Sequence, residues 1–332
     1  MADELDRWAA RRAPELVARA EAEAAAELKA ALLAAARAKE PRPPAPETVR
    51  RAAAPRKEEP APESGTGWWV YGVAVDDPAL PAGGPGVDPE SEVRLVREAG
   101  LAALASPVPL AQFGTQALQR NLNDLGWLER VARAHEAVLD HALASTSIVP
   151  FRLCTIYEDE RSVRAMLSEQ REELLGTLDH LQDRQEWSVK LLVDAERLKA
   201  AASAESSEAA ALEQELAARS AGGAYMLRRR LERHVRDLAD QLGADIAHDV
   251  HARLQDWAAD AVTNPAQNRE LSRHQGEMLL NGAYLVEADK AAALQALVGG
   301  LEERYGELGA RLELSGPWPP YNFIGRASRY VP

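Results

Sequence analysis

Nine large apolar residues recur along one stretch of the chain: Leu227, Leu231, Val235, Leu238, Leu242, Ile246, Val250, Leu254 and Trp257, at intervals of 4, 4, 3, 4, 4, 4, 4 and 3. Spacing by threes and fours puts them on one face of an α-helix. The mean interval lies slightly above the ~3.6 of a straight helix, so the stripe drifts around the axis. The segment from Gly222 to Val262 reads as one helix, with Glu232 and Arg236 as an i,i+4 pair and Asn264-Pro265 as its stop. At ~1.5 Å per residue it spans about 60 Å, enough to cross a whole domain.

The flanking segments supply a sheet for such a helix. EWSVKLLVD (186–194), EMLLNGAYLVE (277–287) and GARLELSG (309–316) read as strands, and DKAAALQALVGGLEERYG (289–306) as a helix. Residues 195–220 are rich in Ala, Glu and Ser and read as helical or partly disordered. The order is strand, long helical excursion, strand, helix, strand, for which a strand set with helices on one face is the simplest arrangement.

An earlier region shows a second mixed pattern. WWVYGVAV (68–75) is aromatic and β-branched, a strand by composition. EVRLVREAGLAALASPVP (92–109) reads as strand, turn at Ala99-Gly100, and strand. Residues 115–144 are helical, with Leu125, Leu128, Val131, Val138 and Leu139 at intervals of 3, 3, 7 and 1. SIVPFRLCTIY (147–157) returns to strand, and residues 159–183 to helix. The chain thus reads as an α+β protein of two domains, 68–184 and 185–315, followed by a Pro/aromatic strap over 316–332. Ahead of them, residues 1–40 form an Ala/Glu-rich helical extension, either solvated or docked on a partner. Residues 41–67 form a Pro-rich disordered linker.

Composition narrows the function. The net charge of −13 argues against a partner that is nucleic acid or an anionic lipid membrane. Cys154 is the single cysteine, which excludes an internal disulfide and fits a reducing, cytoplasmic setting. No signal peptide and no run of ~18 apolar residues is present. Catalytic motifs are missing: no P-loop and no GxSxG elbow. His135-Glu136 opens like a zinc-protease helix, but Leu139 stands where the second histidine belongs. His248 and His251 sit on a solvated helix face, and Cys154 reads as a small hydrophobe within a strand. Arg228, Arg229 and Arg230 form a compact basic run, read as ion-paired within this acidic chain.

The C-terminal SGPWPPYNF (315–323) strongly resembles the closing motif of the gas vesicle GvpL/GvpF family. Further landmarks follow that family's order: WVYGV (69–73), AHEAVL (134–139), VPFRLCTIY (149–157), EWSVK (186–190), GAYMLRRR (223–230) and NGAYLV (281–286). Leu153 and Cys154 stand where the family tends to carry Phe and Gly, so the backbone there need not be glycine-like. Residues 1–66 match nothing in the family core. The resemblance implies a second domain of modified ferredoxin-like fold, no catalytic residues and no cofactors. It implies a structural or assembly protein, associated with gas vesicles, that binds the main shell protein and other accessory proteins and helps nucleate or build the vesicle. A cytoplasmic adaptor working through the N-terminal helix is the alternative.

The segment GPWPPYNFI (316–324) has two readings of its own, an exposed partner-binding peptide or a stiff strap folded onto its domain. Proline fixes φ at positions 317, 319 and 320, so little entropy is lost on docking. This favours the strap, with Trp318 and Phe323 as anchors and Tyr321 beside them.

Overall fold

The computed structural model describes residues 64–219, 224–265 and 276–324. The expected helical extension over 1–40, and the expected linker up to residue 63, lie outside these. The chain forms two compact units that divide between Leu175 and Gly176.

In the first unit the strands are β1 (Thr66–Val75), β2 (Arg94–Glu98), β3 (Leu101–Pro109), β4 (Val149–Pro150) and β5 (Ile156–Tyr157). They form an antiparallel sheet in the order β2-β3-β1-β4, with β5 also on β1. The β2–β3 hairpin turns at Ala99 and Gly100, both with positive φ, as a two-residue turn that follows the strand twist requires. The helices are α1 (Leu110–Phe113), α2 (Thr115–Asn121), α3 (Leu125–Leu143) and α4 (Glu160–Glu169), and the division between the units falls within α5 (Arg171–Leu181). The helical stretch expected over 115–144 breaks before α3, where the Asp124 carboxylate caps the Gly126 and Trp127 N–H groups. Leu125, expected on the apolar face, sits in that first turn and is 65% exposed.

The strand expected over 147–157 is corrected. Its ends pair with β1 as β4 and β5, but between them residues 151–155 stand opposite only Val70 and Tyr71. The excess is taken up in a turn at Cys154, whose φ is +65°. The backbone is therefore glycine-like where the sequence carries cysteine.

In the second unit the strands are β6 (Arg184–Val193), β7 (Asp260–Thr263), β8 (Glu277–Glu287) and β9 (Ala310–Trp318), in the antiparallel order β7-β8-β6-β9. The helices are α6 (Ala195–Ala204), α7 (Ser207–Ala217), α8 (Ala224–Trp257) and α9 (Ala291–Tyr305). Residues 195–217 are helical, in two pieces capped by Asp194 and Ser206. One sheet face, carrying Trp187, Val189, Leu191, Leu280, Tyr284 and Leu312, forms a single core with Ile246, Val250 and Leu254 of α8 and Leu294, Val298 and Leu301 of α9. Every member of the nine-residue stripe on α8 is buried or half-buried. Gly243 lets α8 approach closely, since a Cβ there would lie 3.0 Å from Leu279 and 3.3 Å from Leu198.

The long helix ends earlier than its pattern suggests. It has 34 residues, about 51 Å, and Asp260–Val262, expected to be helical, lie in strand β7. Pairing with β8 decides this: Ala259 N–H donates to Leu285 O and Asn264 N–H to Asn281 O, so tertiary hydrogen bonds override a helical continuation. The expected Glu232–Arg236 ion pair is not formed among the described residues.

A left-handed φ is worst for a β-branched side chain and free for glycine. Cys154→Val is expected to lower stability by about 1–2 kcal/mol relative to Cys154→Gly, measured by chemical denaturation. Equal stabilities would contradict the turn.

Candidate functional site

Two buried polar side chains organise the units. In the first, β1 carries Trp69 and Tyr71 inward, both fully buried. A bulge between Val70 and Gly72 re-aims the chain at Tyr71. Trp69 Nε1–H donates to His135 Nδ1 at 3.0 Å. That bond needs an acceptor, so the proton lies on Nε2, which donates to the Phe151 carbonyl at 3.1 Å. The imidazole is fully buried, and burial pushes its pKa down to about 4, opposed by the Phe151 carbonyl. The Tyr71 ring lies 5.3 Å from the imidazole. Its hydroxyl accepts from Val87 N–H at 2.8 Å and shares a 2.7 Å hydrogen bond with Ser106. His135 is thus a core residue locked by both ring nitrogens.

In the second unit, the period of two along β6 puts Trp187 in the helix-facing core and Glu186 on the opposite face. Glu186 is 4% exposed. The C-terminal segment meets it there. Strand β9 runs on through Gly316, Pro317 and Trp318, with an irregularity in its pairing opposite Glu186–Ser188. Gly316 has φ +137°, and a Cβ there would stand 3.0 Å from Glu186 O and 3.1 Å from the Trp187 ring. Pro319 and Pro320 are buried, and a short 3-10 turn over Tyr321–Phe323 follows. It aims Asn322 at the carboxylate: its N–H donates to Oε2 at 3.0 Å and its Nδ2 to Oε1 at 2.6 Å. Burial nevertheless raises the Glu186 pKa to about 7, against the pull of both Asn322 bonds.

Of the two expected anchors, Phe323 is fully buried and Trp318 half-buried, as is Tyr321 beside them. Trp318 Nε1–H donates to Ser315 Oγ at 3.3 Å.

Other expected features fall elsewhere. His248 is exposed, but His251, expected on a solvated face, is half-buried and shares a 2.9 Å hydrogen bond with the Tyr284 hydroxyl. Among the described residues no group of three or more His, Cys, Asp or Glu is placed to hold a metal ion, and no helix is long and apolar enough to cross a membrane. Cys154 is half-buried in its turn, and burial pushes its thiol up to about 12. Of the basic run, Arg230 pairs with Glu208 at 3.0 Å and Arg229 lies over the Tyr225 ring. Arg228 has no ion pair among the described residues, so the expectation of an ion-paired run holds for one arginine only.

Residues 67–325 match the family model described as gas vesicle synthesis protein GvpL/GvpF. The chain belongs to the GvpL/GvpF family. Gas vesicle protein L of Streptomyces sp. (strain CB03234) is 35% identical over 265 residues, 79% of this chain and 94% of that protein. Gas vesicle protein F of the same strain is 32% identical over 259 residues, 77% of this chain and 98% of its own. The crystal structure of GvpF from Anabaena sp. PCC7120 shares the fold, with a TM-score of 0.61 at 18% identity, covering 78% of this chain and 98% of its own.

The segments that carry the GvpL/GvpF resemblance meet at these polar groups. WVYGV, AHEAVL and VPFRLCTIY converge on His135, and EWSVK and SGPWPPYNF on Glu186. Sequence reasoning gives neither residue its role: His135 reads only as the opening of an incomplete zinc motif, and Glu186 is not singled out. For His135 the signal was present: the gap of seven in the α3 stripe is where it stands, completing Leu128, Val131, His135, Leu139 and Ala142 as the buried face. For Glu186 no local pattern marks burial.

The two groups tie stability to pH in opposite senses. Glu186 titrates higher in the folded state than its usual 4.5. Its favourable contribution is full below about pH 4.5 and is lost as pH rises through about 7. His135 titrates below its usual 6.5. Its contribution is full above about pH 6.5 and is lost as pH falls through about 4. Amide exchange at pH 5 against pH 7 is expected to show the first unit weakened and the strap region strengthened, by about 2 kcal/mol each. Glu186→Gln should abolish the second effect alone. Parallel changes in the two units would refute the assignment.

Proposed function

We propose that this protein is a gas vesicle assembly factor that binds the main shell protein and helps nucleate or build the vesicle. The observation that carries the proposal is membership of the gas vesicle synthesis family across the folded body, residues 67–325. The physical logic is that a shell subunit with a gas-facing apolar surface aggregates unless that surface is covered or polymerised. A soluble acidic partner suits the task. The role is binding rather than catalysis, in the cytoplasm and at the growing vesicle, serving buoyancy. Other gas vesicle accessory proteins are further partners. The ferredoxin-like reading of the second unit is supported by its β-α-β-β-α-β order, with strands arranged β7-β8-β6-β9.

Within this reading the segment 316–324 acts as a strap rather than a shell-binding peptide, supported by the burial of Phe323 and the Asn322 bonds to Glu186. Co-expression with the shell protein is expected to give a co-purifying complex and less sedimenting shell protein; neither effect would sink the proposal. Trp318→Ala is expected to lower the melting temperature by a few degrees while the folded fraction still binds shell protein. An unchanged melt with lost binding would instead make the segment the docking peptide.

A further inference from the structure

Charge on α8 is segregated along its length. Ala224–Arg236 carries five arginines and one glutamate; Asp237–Trp257 carries five aspartates and one arginine. This order opposes the helix dipole, which favours acidic side chains in the first turn and basic ones in the last; neither is present in α8. The arginines are not consumed within the chain. Arg228, Arg229, Arg233 and Arg236 are exposed and form no ion pair among the described residues, and Asp237 and Asp240 likewise. Beside the basic half stands Met226, 74% exposed. A helix that gives up its own electrostatic preference and leaves these exposed charges unpaired is arranged for something outside itself.

The geometry points to a second copy of this chain: we propose that α8 pairs antiparallel with the α8 of another molecule through its outward face. The charge order is self-complementary about a two-fold axis near Arg236 and Asp237, as an isologous contact requires. In that register Arg229 of each copy faces Asp245 of the other, Arg233 faces Asp240, and Arg236 faces Asp237. Met226 then falls on the turn holding Ala244 and His248, both exposed. The match offers the basic half an acidic strip of its own length and hand, which no general acidic surface supplies. The contact is dominated by exposed ion pairs, each weak alone, so association is modest and salt-sensitive.

Sedimentation equilibrium of the full chain tests this. At about 0.1 M salt, where repulsion between the acidic bodies is largely screened beyond contact range, the parent protein is expected to dimerise. Raising salt to about 1 M should raise the dissociation constant at least tenfold, about 1.4 kcal/mol. Arg229→Glu with Arg233→Glu should be monomeric, as should Asp240→Arg with Asp245→Arg, while an equimolar mixture of the two variants should restore a one-to-one dimer. Compared at a concentration low enough for the parent to be monomeric, both double variants should melt as the parent does, separating lost association from lost folding. A parent that stays monomeric at every attainable concentration, variants that associate like the parent, or a mixture that stays monomeric would each overturn the proposal. In the first case binding of an acidic partner would be the remaining use of the face.

Discussion

Strand β6 is hydrogen-bonded along both edges, to β8 and to β9, and this places Glu186 under a severe constraint. A buried carboxylate without partners is among the costliest groups a fold can carry. The only relief among the described residues comes from Asn322, 136 residues away. Much of the C-terminal geometry follows from delivering its two N–H groups. The irregular β9 pairing turns the strand, Gly316 lets the backbone pass where a Cβ would strike β6, and the prolines hold the exit direction. A segment already stiff loses little entropy on docking, so a single polar latch suffices to fix where it lies.

The first unit solves a related problem with a neutral group. His135 lies 66 residues from Trp69 and 16 from Phe151. Its two ring nitrogens accept from one and donate to the other, so the ring satisfies both neighbours without carrying charge. Protonation would leave the Trp69 N–H facing a second donor, which is the structural reason why burial is compatible only with the neutral form. In both units a buried polar residue joins segments remote in sequence. A fully satisfied polar contact of this kind accepts far fewer arrangements than an apolar one.

What the sequence made legible follows from period. The α8 stripe, the β6 and β8 strands and the β2–β3 turn were readable because each is set by local spacing and local turn chemistry. Asp260–Thr263 was not, because only β8 pulls those residues out of the helix. Cys154 was not, because its left-handed φ arises from the mismatch between two residues of β1 and five opposite them. The strap was visible as an oddity of composition, and Phe323 and Trp318 stood out as aromatic. Asn322, whose bonds to Glu186 hold the end of the strap, carries no signal of its own in the sequence, and neither does Glu186. A partner 136 residues distant leaves no trace in either neighbourhood.

Replacing Glu186 by an apolar residue of similar size would remove the desolvation cost, and buried charges are often dispensable for stability in this way. It would also remove the latch. Beyond Trp318, where the pairing with β6 ends, the strap would then be held by aromatic and proline surface, which specifies position less sharply than a polar contact. Asn322, half-buried, would lose the acceptor of both its side-chain amide and its backbone N–H. The carboxylate thus converts a sticky segment into one with a defined register. Because its pKa of about 7 lies close to neutrality, the latch is held in both protonation states near that pH. The ionised form accepts both Asn322 bonds more strongly, and the neutral form is the better buried.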